Sequence, residues 1–525
     1  MLLVFDWYFR DNLLVETNNK TTPKPFIILI ITFIIMRYLR FTFIIPILLF
    51  FYYSCDDGFE NYSTNPNDRL TFSTDTVAFD TIISTITTPF KAFKVYNNNS
   101  KNLLVSSVYL ETGEQSNFRI NVDGRGGGSF QDVEIRANDS IFVFVDAIPA
   151  ETGLNIPEQI NDYIVFVTNG IQQKVLIEAS AQDAFIWEGV VLDSDLILSN
   201  KKPYVIYDSL VIEKDITVQI QEGAIFYMHG NAEIIVKGTL NAKGTLENPI
   251  VFRGDRFDTM VNISYDLIPG QWGGFRFDSD SYNNEWEYVY IRNGTTGLNF
   301  ELSDPSISKI KMKNVVITNF KGALINSVNS NIEAENCEFS NSQYALLNAF
   351  GGSYSFTHCT FANHYLSSSE AGWGNSDNST IILRNEYITG ENKEYYPVTQ
   401  ADFLNCIIWG TKNTSTSRIS IKKSDESDIA YYFENCLLPI NLKDDWISES
   451  FVINCILNEN PEFKTLLIGE DGTNEFIYDF RLMENSPAIN NANRTIAETI
   501  PFDINGIDRL ADENPDMGVY EFVLN

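Results

Sequence analysis

Three histidines, His229, His358 and His364, are the whole supply of imidazole in 525 residues. Acid–base catalysis or a nitrogen-ligated metal site would have to draw on them. No Cys/His spacing matches a zinc site, and His358 and His364 have no visible carboxylate or thiol partner. Inverting hydrolysis of a glycoside needs two carboxyl groups held about 6.5–9.5 Å apart. Asp444–Asp445 is an isolated acidic pair near the end of the chain, and Arg292 in YIRNG falls where a bend residue belongs. The stretch GRGGG (124–128) has glycines enough for a phosphate loop, but no helix follows and no lysine is in place, so it reads as a flexible turn. Asp503, Asn505 and Asp508 offer oxygen donors without the full ligand set of a calcium loop. No catalytic residue, metal ligand or cofactor is therefore assigned. Ligand contact has one candidate stretch, residues 364–397, which carries Trp373, Tyr387, Tyr395 and Tyr396. Such side chains could stack on sugar rings, or could equally form the small core of their own loop.

Composition narrows the field. A net charge of −32 argues against nucleic acid, which needs a basic footprint, and suits a self-repelling soluble surface. Apolar residues at 44% and aromatic residues at 13% exclude a disordered chain.

The elements that would position these residues are announced by a repeat. IKMKNVVITNFKGALIN (310–326) and IEAENCEFSNSQYALLN (332–348) superimpose at an offset of 22, and YSFTHCTFANHYL (354–366) continues it. Val315, Cys337 and Cys359 share one column, Ile317, Phe339 and Phe361 another, and Asn319, Asn341 and Asn363 a third. YVYIRNGTTGLN (288–299) fits one step earlier with a four-residue adjustment. A short strand cannot bury its apolar face alone, but identical rungs stacked about 4.8 Å apart bury it against one another. The spacing predicts a parallel β-helix over 185–460, with roughly eleven coils in a rod about 50 Å long. FLNCII (403–408), YFENCLL (432–438) and FVINCIL (451–457) are further rungs. Cys337, Cys359, Cys406, Cys436 and Cys455 then become buried rung residues. They read as free thiols, although stacked rungs lie close enough that spacing alone leaves disulfides open.

Ahead of the repeat, residues 70–184 alternate apolar and polar positions in about seven short segments. Asn169–Gly170 gives a hairpin signal, and the pattern predicts an antiparallel β-sandwich. The chain is thus expected to be all-β.

Two apolar runs lie at the amino terminus, 26–35 and 41–53, each too short to span a bilayer. Met36 opens a better targeting unit: Arg37 and Arg40 supply the positive region and 41–53 the apolar one. Residues 1–35 read as an upstream extension and 36–54 as a signal peptide. A single signal anchor over 26–53 would place both arginines in lipid.

FFYYSC resembles the end of a bacterial lipoprotein signal, with Cys55 as the acylated residue. Tyr52 and Tyr53 depart from the usual box. The resemblance implies a membrane partner through the lipid anchor, with Asp56–Asp57 as an export tag and 55–69 as a tether. FDTIISTITTPFKAFKVYN, FRINVDG and FVTNG resemble the immunoglobulin-like domain of Bacteroidota cell-surface lipoproteins. GAIFYMHGNAEIIVKGTLNAKGTLENPIVFRG (223–254) and GQWGGFRF (270–277) resemble the first coils of right-handed β-helices of the pectate-lyase-like superfamily. DFRL, SPAI, DINGIDR and DMGVYEF, within 461–525, resemble the carboxy-terminal segment of secreted β-helix proteins and are expected to cap the last rung. The pectinase-like hydrolases of that superfamily carry N-x-D, D-D, G-H-G and R-I-K motifs. SRISIKK (417–423) departs from the last, and G-H-G is missing. These resemblances imply a non-catalytic lipoprotein of the outer membrane surface that serves adhesion or binds polysaccharide. A β-helix carbohydrate-active enzyme and a purely structural envelope component remain the alternatives.

Overall fold

The computed structural model describes residues 62–257, 259–260, 263–365, 379–410, 418–440, 446–448, 450–467, 477–511 and 513–524. The two apolar runs, Cys55 and Trp373 lie outside the described residues. The chain is nearly all-β, 52% strand and 2% helix, with large parallel sheets consistent with a β-helix.

Residues 71–182 form two five-stranded sheets. Alternation fixes their faces: in Asp139–Ala147, Ile141, Val143 and Val145 are buried while Phe142 and Phe144 point out. The inward residues of both sheets meet in one cluster that includes Val95, Val105, Ile120, Val143, Phe166 and Ile177. Asn169 and Gly170 both take positive φ (52° and 77°) and close the hairpin of Glu158–Thr168 with Ile171–Gln182. The glycine stretch differs from expectation. Asp123 and Gly124 make the turn (φ 51° and 79°), while Arg125–Gly127 is a strand paired to Phe118–Val122. Its backbone is held by a ladder, so it is no flexible turn.

From residue 185 to 457 the strands of the solenoid run parallel, in three columns, with short antiparallel hairpins at 259–264 and 386–395 beside them. Most turns of chain place one strand in a 10-stranded sheet and two in an 18-stranded sheet that wraps two sides of the solenoid, and the last two turns add one each to the latter. One turn reads Asn331–Glu335, Glu338–Ser342, Leu347–Phe350, and the next reads Gly352–Thr357, Thr360–Asn363, Ile381–Arg384. Register puts like over like: Ile317 on Phe339 on Phe361, and Asn326 on Asn348. Phe339 and Phe361 stack at 4.9 Å between ring centroids, Phe356 and Phe403 at 5.1 Å, Phe403 and Phe433 at 4.8 Å. The cysteine column is a ladder of free thiols, with Cys359 N–H directed at Cys406 Sγ (3.4 Å) and Cys406 N–H at Cys436 Sγ (3.3 Å). At the bend ahead of it, Asn314, Asn336, His358, Asn405, Asn435 and Asn454 all take positive φ. Asparagine tolerates this conformation best among residues with a side chain, and its amide can bond along the stack. Asn336 Nδ2 donates to Asn314 Oδ1 (2.9 Å).

The carboxy-terminal segment does something other than close the last rung. It runs back along the flank of the solenoid. Asn491 O accepts from Asn435, Asn493 O from Asn405 and Phe502 O from Asn336. Arg509, fully buried, binds Glu521 (2.5 Å), Asn336 Oδ1 (2.6 Å) and the carbonyls of Gly518 and Val519. Gly518, at φ 89°, passes so close that an added Cβ would sit 2.7 Å from Thr360 Oγ1. The DINGIDR and DMGVYEF motifs are thus the anchors of a strap. The Asp503 carboxylate accepts from the amides of Asn505, Ile507 and Glu521.

Candidate functional site

The strand that follows the asparagine bend turns two columns of side chains outward. One runs Arg292, Thr318, Ser340, Ala362, Trp409; the other runs Tyr290, Val316, Glu338, Thr360, Ile407, Leu437, Ile456. Their character changes part-way along. Ala362, Ile407, Leu437, Trp409 and Ile456 are apolar and packed beneath Phe463, Phe480, Leu482 and Met517 of the carboxy-terminal segment. Arg292, Thr318 and Ser340 are polar, and there the strap lies aside. The result is a cleft of about 410 Å³ on the outer face of the solenoid.

Its floor is a hydrogen-bonded group. Ser340 Oγ lies 2.8 Å from both Thr318 Oγ1 and Glu338 Oε1, and Tyr520 of the strap donates to Glu338 Oε2 at 2.6 Å. Burial pushes the Glu338 carboxyl upward from its ordinary range, against the two hydroxyls that favour its charged form. Burial and the neighbouring Glu338 likewise hold the Tyr520 phenol well above its usual value. Asn319, held by the Asn293 amide ladder (Nδ2 to Oδ1, 2.9 Å), and Asn341 add amides to the lining.

One wall is the short turn Tyr265–Leu267, where Ser264 caps the Asp266 amide (3.2 Å). Asp266 Oδ1 sits 2.9 Å from the Arg253 guanidinium and 3.2 Å from Arg292 Nε. Arg253 is pulled below the usual arginine value by burial first and by Arg292 beside it, with Asp266 opposing. The other wall is aromatic. Tyr365, fixed by Gln343 (2.6 Å), stands with Tyr478 and Phe480, whose rings stack at 6.0 Å. The Tyr478 hydroxyl donates to His364 O (3.2 Å), and burial lifts its pKa to about 12.

The residues singled out from sequence lie elsewhere. Tyr387 and Tyr395 are on the hairpin Glu386–Thr389 with Asn392–Tyr395, and Tyr396 follows it. Tyr387 packs edge-on against Phe350 (5.3 Å), Tyr396 bonds Glu394 and covers Gly351, and Tyr395 is exposed. None of the three lines the cleft. Of the histidines, His358 is buried beneath the strap with Nε2 2.9 Å from Asn405 Nδ2, and burial and Arg509 hold it well below its usual pKa. His364 lies between Phe463 and Phe480. His229 pairs with Asp255 at 2.6 Å, away from the cleft. Among the described residues no group of three or more His, Cys, Asp or Glu is placed to hold a metal ion.

Sequence reasoning passed over Asp266, Glu338, Tyr478 and Tyr520, and took Arg292 for a bend residue. One signal was available: the column Arg292, Thr318, Ser340, Ala362, Trp409 is polar up to Ser340 and apolar from Ala362.

No family model matches the chain, and no curated protein matches it. Solved structures similar to part of it include a protein of unknown function from Porphyromonas gingivalis W83, 12% identical over 24% of this chain and 60% of that one, with a TM-score of 0.17. A family 123 glycoside hydrolase from Clostridium perfringens is 9% identical over 23% of this chain and 30% of that one, with a TM-score of 0.16. WR4, an MSP family member of C. elegans, is 10% identical over 21% of this chain and 96% of that one, with a TM-score of 0.15. The chain thus spans less than two thirds of the first two, and likenesses of this size carry no functional argument.

Proposed function

We propose that the chain is a lipid-anchored outer-membrane surface protein that binds glycans in the cleft. In this reading Cys55 carries the anchor, an immunoglobulin-like sandwich serves as spacer, and a right-handed parallel β-helix of the pectate-lyase-like kind displays the site. The observation that carries it is the cleft's make-up. Guanidinium, amide and hydroxyl groups from successive coils line one side and the rings of Tyr365, Tyr478 and Phe480 the other, the pairing that a sugar's hydroxyls and its C–H face call for. The placement of the tether supports the spacer role. Tyr62 bridges Asn102, and Asn65 O accepts from Asn169, at the end of the sheets opposite Ala184 and the solenoid.

Arg292→Ala and Tyr478→Ala, both on cleft walls, are expected to lower binding in a glycan array at least tenfold while the unfolding temperature stays within a few degrees. Unchanged binding by both would remove the cleft from the proposal. Trp373→Ala tests the loop aromatics in the same array.

A second reading, a carbohydrate-active enzyme, has one observation in its favour: the buried Glu338 carboxyl has its pKa raised, as a general acid requires. Turnover of any acidic or neutral polysaccharide, abolished in Glu338→Gln, would establish it over pure binding.

A further inference from the structure

One face of the amino-terminal unit exposes a group of phenyl rings. Phe90, Phe142 and Phe144 stand 67%, 47% and 36% exposed. The three rings are contiguous, Phe142 stacked on Phe144 at 5.9 Å and Phe90 edge-on to Phe144 at 6.5 Å. Lys94 Nζ lies 4.9 Å from the Phe142 centroid. The strands Lys91–Asn97, Phe118–Val122 and Asp139–Ala147 carry two carboxylates, Asp139, exposed at the first position of its strand, and Asp146, buried and paired with Arg119, against Lys91, Lys94 and Arg119. Asp123 and Arg125 offset each other in the flanking hairpin. A chain of net charge −32 therefore puts no net negative charge on these strands and sets phenyl rings on their outer face.

We propose that this face lies against the lipid surface to which the chain is anchored. The inference rests on reading Cys55 as the acylated residue. Two observations select a bilayer as occupant. Phenyl rings with a lysine among them suit the boundary between headgroups and acyl chains. With no net negative charge, this face lets an acidic protein approach anionic headgroups without repulsion. The six residues between Cys55 and Tyr62 span at most about 20–25 Å when extended, so an anchor at Cys55 holds the unit close to the lipid. Docking by three rings is weak in free solution, but the tether raises the effective concentration at the surface.

The test uses the full-length acylated protein in liposomes of phosphatidylethanolamine and phosphatidylglycerol at three to one. Amine-reactive footprinting is read at Lys94, with Lys201 on the solenoid as control, for wild type and Phe142→Ser/Phe144→Ser. A parallel measurement in detergent subtracts the loss of the Lys94–Phe142 contact. Lys94 is expected to label at least threefold more slowly in wild type than in the variant on liposomes, with Lys201 equal in both. Equal Lys94 labelling overturns the proposal. So does protection that needs envelope proteins rather than lipid, which would assign the face to a protein partner. The mass of the amino-terminal peptide reports acylation independently. Should Cys55 prove unmodified, flotation decides: wild type floating and the variant not supports the face alone, and neither floating overturns it.

Discussion

His364 shows how far a titratable residue can stand from chemistry. It is buried between Phe463 and Phe480, and burial, with Arg418 nearby, lowers its pKa to about 4. In the unfolded chain it would bind a proton near pH 6.5. The folded form therefore holds its full contribution above pH 6.5 and loses it as pH falls toward 4, by an amount of about 3 kcal/mol. Glu338, with its pKa raised, has the opposite sign: its contribution is present at low pH and fades as pH rises through the folded value. A difference measurement separates them. Denaturant midpoints of wild type should fall between pH 6.5 and 4 more steeply than those of His364→Leu, and parallel slopes would show that the ring reaches a proton acceptor or solvent. Arg292 teaches the converse. As one letter in YIRNG it looked like a bend residue, and only its neighbours across the strands, Thr318 and then Ser340, make it part of a site.

At the scale of the element, the rung was legible because its cause is local. A side chain that stacks on its own kind at every turn leaves a periodic trace, so the Ile317–Phe339–Phe361 column could be read before any coordinates. The third column keeps its register, Asn319 over Asn341 over Asn363, though only the first two take positive φ. The strap and the cleft left no such trace. Arg509 reaches Asn336 across 173 residues and Tyr520 reaches Glu338 across 182, and contacts made once have no period. Asn336 joins the two kinds of order. Its φ is 59°, its amide donates to Asn314 and to Phe502 O, and its carbonyl oxygen accepts from Arg509. Asn336→Ala should cost about 3–5 kcal/mol, the sum of left-handed strain, lost ladder bonds and a stranded buried guanidinium. Asn336→Gly removes the strain alone and should recover about 1 kcal/mol of it. Equal losses in chemical denaturation would mean that the bend tolerates alanine.

For the whole molecule the decisive fact is that the apolar interior comes in two large pieces. One cluster fills the two antiparallel-rich sheets, another runs unbroken along the solenoid from Leu192 to Ile440, and between them lies a small group centred on Ile83, Val205 and Tyr227. A joint this small transmits little cooperativity, so calorimetry should resolve two heat-absorption peaks rather than one. What the joint has in place of area is Asp183. Its carboxylate accepts from the amides of Thr152 (3.0 Å) and Gly153 (2.8 Å) on one side and from Lys202 Nζ (3.2 Å) on the other. Burial alone would raise its pKa, but these donors and the Ser84 hydroxyl overcome that and bring it down to about 2. The folded value lies below the unfolded one, so the latch is intact above pH 4 and fails only as pH falls toward 2. Asp183→Ala takes their acceptor from the amides of Thr152 and Gly153 and from the Lys202 ammonium at neutral pH. The expected loss of about 2–3 kcal/mol falls on the smaller unit and lowers its transition by roughly 10 °C, leaving the solenoid's peak in place. A single peak in wild type, or equal shifts of both, would mean that the two cores melt as one and that the spacer is no separate unit.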